Sequence, residues 1–232
     1  MILLDQQGGI ARLTLDRPAQ RNALATDDWR TLAETIATVP QDAGVVLLRS
    51  SMPGIFCAGA DLRDLARLAD EPERRAPFRL AMRAAIDALA ALPMPVVATI
   101  DGGCFGAGVA LALAADLRVA SAAAAFAVPP ARLGIAYPAE DVARLAARVG
   151  EAQAARLLFT AATIDADEAL RIGLIDLIGD GAAVAEAIAT NDSTALATLK
   201  AMLRDPAGRR HAAAFEDSFA NPRFAAATQR YR

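Results

Sequence analysis

Phe56-Cys-Ala-Gly-Ala-Asp-Leu62 and Gly102-Gly-Cys-Phe-Gly-Ala-Gly108 are the two stretches of sequence that decide the fold. Each follows an apolar run typical of a buried strand, at residues 45–49 and 96–100, and each leads into a helical pattern. Small residues at such turns let another group approach the main chain closely. The repetition predicts one α/β domain in which strand, turn and helix recur.

The flanking sequence extends this pattern. Residues 2–7 and 10–15 alternate apolar and polar side chains around Gly8-Gly9, which predicts a β-hairpin. Repeated units of two strands followed by a helix are therefore expected over three parts of the chain, at about 2–39, 45–92 and 96–149.

Two further segments differ from these units. Residues 67–77 are rich in charge and proline, so we expect an exposed, mobile loop there. The chain beyond residue 181 has a helical pattern with breaks at Asp192, Pro206 and Pro222. We therefore expect an α/β core over residues 1–180 and a helical region over 181–232.

Composition narrows the range of functions. The 232 residues are 55% hydrophobic and 22% charged, and the formal net charge is −3, which argues against a nucleic-acid or anionic-membrane partner. The apolar runs are too short to span a bilayer, and no export signal is expected, so the predicted location is the cytoplasm. Two cysteines without metal spacing and a single histidine argue against a metal site or a serine-type triad.

The two small-residue turns are the candidate site of chemistry. Unpaired N–H groups at the start of a helix attract negative charge, and a pair of them on one carbonyl oxygen forms an oxyanion hole. Such turns are also common packing devices, and the pattern alone leaves both interpretations open. Leu111 stands where a dinucleotide fingerprint needs glycine, and no P-loop lysine follows, so these alternatives fail.

Several motifs, taken together in order and spacing, resemble the enoyl-CoA hydratase/isomerase (crotonase) family across nearly the whole chain. They are Leu15-Asp-Arg-Pro-Ala-Gln-Arg-Asn-Ala-Leu24, Phe56-Cys-Ala-Gly-Ala-Asp-Leu62, Pro95-Val-Val-Ala-Thr-Ile-Asp-Gly102, Gly106-Ala-Gly108, Ala115-Asp-Leu-Arg-Val-Ala120, Leu133-Gly-Ile135, Val149-Gly150 and residues 166–174.

The resemblance implies a crotonase-like spiral of repeated ββα units followed by C-terminal helices. It also implies homotrimers, often paired into hexamers, with residues 181–232 as the oligomerisation region. The implied ligand is an acyl-CoA thioester, so coenzyme A is part of the substrate and no separate cofactor is expected.

The resemblance further assigns residues to the site. The oxyanion N–H donors would be those of Ala58 and Ala107. Arg21 and Arg63 are candidate phosphate contacts, because guanidinium pairs well with phosphate, although each is equally a plain surface charge. The residues expected to bind substrate are Arg21, Ala23, Ala58, Gly59, Ala60, Asp61, Leu62 and Ala107.

The family pattern breaks at its acids. A hydratase needs carboxylates to activate water and to move the α-proton. By the match, the two hydratase glutamates fall at Ala110 and Pro130, and a later aspartate of related isomerases and dehalogenases falls near Pro138. None of these side chains transfers a proton, so the chain is not expected to be an efficient standard hydratase.

Nearby groups are possible substitutes. Glu140 is the candidate acid or base, with Ala143 as an inward neighbour, while Asp141 is expected to pair with Arg144 outside the site. The simpler interpretation of both acids, which the pattern favours, is that they are helix N-terminal charges. Tyr137 is a weaker candidate, as a hydrogen-bond donor to an acyl group. The remaining polar groups are expected to be structural: Asp61 as a cap, Asp116 as a loop anchor, and Cys57 and Cys104 as buried thiols.

These observations leave two functions close together. The first is an enzyme, a crotonase-type lyase or isomerase, that stabilises a thioester enolate in a backbone oxyanion hole. The second is a non-catalytic acyl-CoA-binding carrier or partner protein. A scaffold that has lost its ligand is a weaker third possibility, because the two small-residue turns are retained.

Overall fold

The chain begins with the predicted antiparallel hairpin. The computed structural model describes residues 1–209 and 211–231. Strands β1 (Ile2–Gln7) and β2 (Ile10–Leu15) pair with Ile2 opposite Leu15, and Gly8 and Gly9 take the positive φ angles that the tight turn requires.

The other elements alternate between strands and helices until the C-terminal helices. The remaining strands are β3 (Val45–Ser50), β4 (Ile55–Cys57), β5 (Val96–Ile100), β6 (Gly103–Phe105), β7 (Leu117–Ala120), β8 (Ala125–Ala127), β9 (Ile164–Asp165) and β10 (Leu177–Ile178). The α-helices are α1 (Thr26–Ala37), α2 (Leu62–Asp70), α3 (Arg75–Ala91), α4 (Ala107–Leu113), α5 (Ala139–Val149), α6 (Glu151–Thr160), α7 (Ala166–Arg171), α8 (Gly181–Ala189), α9 (Ser193–Arg204), α10 (His211–Asp217) and α11 (Pro222–Thr228).

The strands form two sheets, and successive units divide between them. The larger sheet has the order β1-β2-β3-β5-β7-β10, and the smaller has the order β4-β6-β8-β9. Each unit after the hairpin therefore sends its first strand to the larger sheet and its second to the smaller one. This alternation produces the spiral of repeated units, and the mixed α/β fold with C-terminal helices is confirmed.

The unit boundaries differ from the expectation in one place. Gly103 to Phe105, expected to include the end of a turn, forms β6, which pairs in parallel with β4 and β8. The stretch 96–149 therefore contains two units rather than one. Between β4 and β6 the register slips, with Ile55 opposite Gly103 but Cys57 opposite Cys104, so Phe56 is a bulged residue.

The prediction of a loop over residues 67–77 is wrong. The segment is almost wholly helical: α2 continues to Asp70, a 3-10 turn occupies Pro72–Arg74, and α3 begins at Arg75. Arg75 joins the two helices by donating hydrogen bonds to the Leu68 and Ala69 carbonyls at 2.7 and 3.1 Å. Pro77 lies in the first turn of α3, where a missing N–H group leaves no intrahelical hydrogen bond unmade.

The larger sheet is buried on both faces. Along β3, Val46 and Leu48 belong to the main core, whereas Val45 and Leu47 pack with the partly buried side chains of α8. In α9, Lys200 is buried and donates to the Met94 carbonyl at 2.7 Å, which fastens the C-terminal helices to the core. Within the described residues, no helix is long and apolar enough to cross a membrane.

Candidate functional site

The two small-residue turns lie against each other at the end of the smaller sheet. A Cβ atom built on Gly59 would come within 2.8 Å of the Phe105 carbonyl oxygen and 3.4 Å of the Ala107 nitrogen. One built on Gly108 would lie 2.8 Å from the Cys57 carbonyl oxygen. Only glycine permits this approach, so it brings the main chain of both turns to one place.

Ala58, the first expected oxyanion donor, is engaged elsewhere. Its N–H group donates to the Arg21 carbonyl at 3.0 Å, so that group is not available to a ligand and the assignment is wrong. The N–H group of Ala60, two residues later, is the candidate donor instead. The strand-like pairing around it uses the Leu24 and Asp61 N–H groups, at 2.9 and 3.0 Å, and leaves the Ala60 N–H without an acceptor among the described residues.

Ala107, the second expected donor, lies at the start of a helix. It is the first residue of α4, and its N–H group has no acceptor in the described part of the chain. Gly106 precedes it with φ +51 and ψ −119, a conformation that only glycine adopts readily. The Gly106 N–H donates to the Ala127 carbonyl at 2.9 Å, which fixes the turn to β8.

Asn22 holds the first turn in place, a role that sequence reasoning missed. It is fully buried with φ +56, and its side chain donates to Ser50 Oγ at 2.7 Å and to the Phe56 carbonyl at 3.0 Å. Its Oδ1 accepts from the Arg17 N–H at 2.8 Å. The quoted motif ending in Arg21-Asn-Ala-Leu24 contained the signal, because asparagine is the non-glycine residue best suited to this conformation.

Ala60 and Ala107 both line a cavity of about 440 Å³, a volume within the usual range for small-molecule sites. The cavity lies between the two turns, α2, α3 and the loop that precedes α5. Its lining is mostly apolar and consists of Ala58, Gly59, Ala60, Leu62, Leu65, Phe78, Met82, Gly106, Ala107, Pro129, Pro130, Arg132, Leu133, Ile135, Ala136, Tyr137 and Pro138.

Polar side chains in this lining are few. Among the described residues that line the cavity, Arg132 and Tyr137 carry the polar side-chain groups, and no carboxylate or imidazole is present. Pro130 lies in the wall, whereas Ala110 is fully buried in α4 behind it. The described lining of the cavity is therefore mostly apolar, and its polar side-chain groups are one guanidinium and one phenol.

The structure reverses the placement expected for the two acids at the start of α5. Glu140 is exposed and is not among the residues that line the cavity, and Ala143 is exposed as well. Asp141 is instead completely buried, and it accepts a hydrogen bond of 2.9 Å from Arg83 of α3, with Arg144 at 3.6 Å. The expectation that Glu140 points inward and Asp141 outward is wrong, because Arg83 of α3 is a partly buried cation that the local sequence does not reveal. The expected pairing of Asp141 with Arg144 is present.

The other polar groups are structural, as predicted. Asp61 caps α2 by accepting from the Arg63 N–H at 2.8 Å. Asp116 accepts from the Val96 N–H at 2.8 Å and pairs with Lys200 at 2.6 Å. Within the described residues, no group of three or more side chains is arranged to hold a metal ion.

Cys57 and Cys104 lie beside the two turns, but their surroundings do not favour the ionised thiolate that a nucleophile needs. Both are buried and free of disulfides, as predicted. Burial raises the pKa of Cys57 to about 12, against the opposing hydrogen bond from the Gly59 N–H. Burial also raises the pKa of Cys104 well above its usual value. Neither thiol is therefore ionised near neutral pH.

The expected substrate-binding residues divide into two groups. Those at 58–60 and Leu62, with Ala107, line the cavity. Asp61, Arg21 and Ala23 are not among the lining residues. Asp61 caps α2 instead, and the segment with Arg21 and Ala23 lies behind the first turn, joined to it through the Arg21 carbonyl and the Leu24 N–H. Arg21 and Arg63 are exposed, so both guanidinium groups are accessible from solvent.

Comparisons of sequence agree with this architecture. Residues 5–225 match the family model described as Enoyl-CoA hydratase/isomerase. The chain is 36% identical over 175 residues to methylglutaconyl-CoA hydratase from Rattus norvegicus, which covers 75% of this chain and 55% of that protein. It is 34% identical over 179 residues to short-chain-enoyl-CoA hydratase from Clostridium acetobutylicum, covering 76% and 68%. The match thus spans little more than half the length of the rat relative.

Comparisons of structure extend the similarity to nearly the whole chain. An enoyl-CoA hydratase/carnithine racemase from Magnetospirillum magneticum superposes with a TM-score of 0.90 at 31% identity, covering 99% of this chain and 92% of that one. The enoyl-CoA hydratase from Thermoplasma volcanium gives 0.89 at 26% identity, covering 100% and 97%. By the family model, the sequence identity and the shared fold, this chain belongs to the enoyl-CoA hydratase/isomerase family.

Proposed function

We propose that this protein binds an acyl-CoA thioester and holds its carbonyl oxygen between the N–H groups of Ala60 and Ala107. The observation that carries the proposal is a pair of N–H groups that have no acceptor in the described part of the chain and belong to residues lining one mostly apolar cavity. Each donor of this kind stabilises a developing oxyanion by roughly 3–4 kcal/mol. The acyl chain would lie among Leu65, Phe78 and Met82.

The reaction proposed is enolate chemistry other than standard hydration. By the family match, Ala110 and Pro130 replace the two hydratase glutamates, and the absence of a carboxylate from the described lining supports that reading. An oxyanion hole stabilises an enolate but does not remove the α-proton. Any proton transfer in this site therefore needs solvent or the substrate's own groups.

The alternative is a carrier or partner protein that binds the thioester without converting it. The same observation favours it, because the donors are retained while a base is missing from the described lining. The two candidates differ only in chemistry, not in ligand, so one experiment separates them.

That experiment begins with a thermal-shift panel of CoA thioesters of graded acyl length. A ligand that binds only the native state raises the melting temperature. Unchanged melting with acetyl-, crotonyl- and longer acyl-CoAs would reject the binding proposal. A thioester that binds is then incubated in deuterium oxide, where α-proton exchange indicates an enzyme and its absence favours the carrier.

We also propose that residues 181–232 assemble the chain into a homotrimer or hexamer. The support is a set of exposed aromatic side chains in this region, in which Phe219 packs edge-to-face against both Phe215 and Phe224. Exposed apolar surface of this kind favours association. Light scattering on the eluting protein gives the mass directly, and a monomer at micromolar concentration would refute the assembly.

A further inference from the structure

Tyr137 contacts the main chain of the second small-residue turn. It lies in the loop before α5, lines the cavity, and donates a hydrogen bond from its hydroxyl to the Gly106 carbonyl oxygen at 3.0 Å. That oxygen also accepts from the Val109 N–H at 2.9 Å and from the Ala110 N–H at 3.4 Å, both in the first turn of α4. Tyr137 is thus the one donor to the Gly106 carbonyl, among the described residues, that comes from outside that helix.

The hydrogen bond from Tyr137 holds the oxygen of the Gly106–Ala107 peptide group, whose N–H is one of the two proposed donors. The Gly106 C=O and the Ala107 N–H belong to one planar, trans peptide, so they point in opposite directions. Fixing the oxygen therefore fixes the direction in which the N–H points. A hydrogen bond accepted by the oxygen also polarises the peptide and makes its N–H a better donor.

We infer that Tyr137 is a positioning residue, which orients and strengthens the Ala107 N–H as an oxyanion donor by holding the carbonyl of the same peptide. The inference rests on the proposed function, since it concerns how one of the two proposed donors is prepared. Tyr137 acts through the main chain, and its hydroxyl is already engaged, so it is not assigned a proton-transfer step.

The surroundings keep the phenol in the form that donates. Burial raises the pKa of Tyr137 well above its usual value, and the charge of nearby Asp141 acts in the same direction. The phenol therefore stays protonated across the physiological range. Burial also raises the pKa of Cys104, so its thiol stays protonated and does not accept the proton of the phenol.

The test measures polarisation of a bound thioester by its carbonyl stretching frequency. Crotonyl-CoA labelled with carbon-13 at the thioester carbonyl is compared free and bound to the wild type, where binding should lower the frequency. Tyr137→Phe should reduce that shift by roughly 10–30%, the strengthening expected from one cooperative hydrogen bond. Tyr231→Phe is the matched control, because it removes the other phenol of the chain, which lies exposed near the C-terminus.

Each result decides the question. An equal shift in the wild type and in Tyr137→Phe would overturn the inference while leaving the binding proposal intact. No shift in the wild type, despite binding, would reject the oxyanion hole itself and the inference with it. If Tyr137→Phe fails to fold, the Tyr231→Phe variant is instead produced with 3-fluorotyrosine. Tyr137 is then the only tyrosine in the sequence, so the fluorinated phenol occupies that position alone. A more acidic phenol donates a stronger hydrogen bond, so the shift should then exceed that of unlabelled Tyr231→Phe, and an unchanged shift would refute the role.

Discussion

Arg83 of α3 donates a hydrogen bond of 2.9 Å from Nη1 to Oδ1 of Asp141 in α5, whose side chain is completely buried. Met82, the neighbour of Arg83, lines the cavity, and so does Pro138 at the start of α5. The ion pair therefore joins α3, which contributes to the cavity wall, to α5, whose preceding residue also lines the cavity. Burial raises the pKa of Asp141, and the hydrogen bond from Arg83 opposes that effect.

Loss of one partner of this pair should be costly. Asp141→Leu leaves the Arg83 guanidinium without its buried partner, so we expect the free energy of unfolding to fall by about 3–5 kcal/mol. Adding Arg83→Met should recover part of that loss, because no unpaired charge then remains. Urea denaturation of the two single variants and the double variant measures the coupling.

Asp87 supplies the control for this cycle. It also pairs with Arg83, at 2.9 Å, but its side chain is 57% exposed. Asp87→Ala should therefore change stability by no more than about 1 kcal/mol. Equal losses of stability in Asp87→Ala and Asp141→Leu would show that burial of the Arg83–Asp141 pair does not increase its contribution to the free energy of unfolding.

Gly59 should be intolerant of even the smallest side chain. Its φ of +102 disfavours an L residue, and a methyl group would meet the Phe105 carbonyl oxygen at 2.8 Å. We expect Gly59→Ala to lower stability by roughly 1–3 kcal/mol and to abolish the thermal shift with acyl-CoA, since the turns must separate. Gly179→Ala is the matched control, because nothing lies within 4 Å of a Cβ atom there. A full thermal shift with Gly59→Ala would contradict the proposed geometry.

Hydration of crotonyl-CoA should be negligible. Each absent acid–base group typically costs roughly 10²–10⁴-fold in rate, and we propose that Ala110 and Pro130 stand where the two hydratase glutamates would be. The measurement is the loss of enoyl absorbance over time. A turnover number like that of ordinary hydratases would mean that another group supplies the acid and base. Because Glu140 is exposed outside the cavity, Glu140→Gln should leave any observed α-proton exchange unchanged.

The thiols should resist modification in the native protein. The raised pKa of Cys57, about 12, leaves roughly one thiol in 10⁴ or fewer ionised near neutral pH, and only the thiolate reacts. Alkylation should therefore leave both cysteines unmodified by mass spectrometry until denaturant is added. Rapid labelling of folded protein would show that the turns open to solvent.

Elements with a clear local pattern were predictable from the sequence. The hairpin follows from alternation around Gly8-Gly9, and the sheet strands follow from apolar runs. By contrast, β6 has three residues, too few for any periodicity to register. The charge of residues 67–77 suggested a loop because surface helices and loops share charged residues, and the Arg75 contacts that join α2 to α3 were not visible in the pattern.

The sequence predicted which turns form the candidate site, but not which residues of those segments have a free N–H group or a buried side chain. Ala58 and Ala60 look alike in the sequence, and only the hydrogen bond from Ala58 to the distant Arg21 carbonyl distinguishes them. Likewise, Asp141 is buried through a partner 58 residues away. Long-range pairing of this kind leaves no periodic signal, so a single sequence identifies the segment and tertiary packing selects the residue.

The bulge at Phe56 determines which residue of the first turn corresponds to Ala107 in the second turn. Cys57 lies opposite Cys104, and Ala60 and Ala107 each follow three residues later, so they are counterparts in successive units. With the register of Ile55 and Gly103 continued unbroken, Gly59 would be the counterpart of Ala107 instead. The bulge therefore takes up the one extra residue of β4, and the two copies of the turn stay aligned without any change to the side chains that line the cavity.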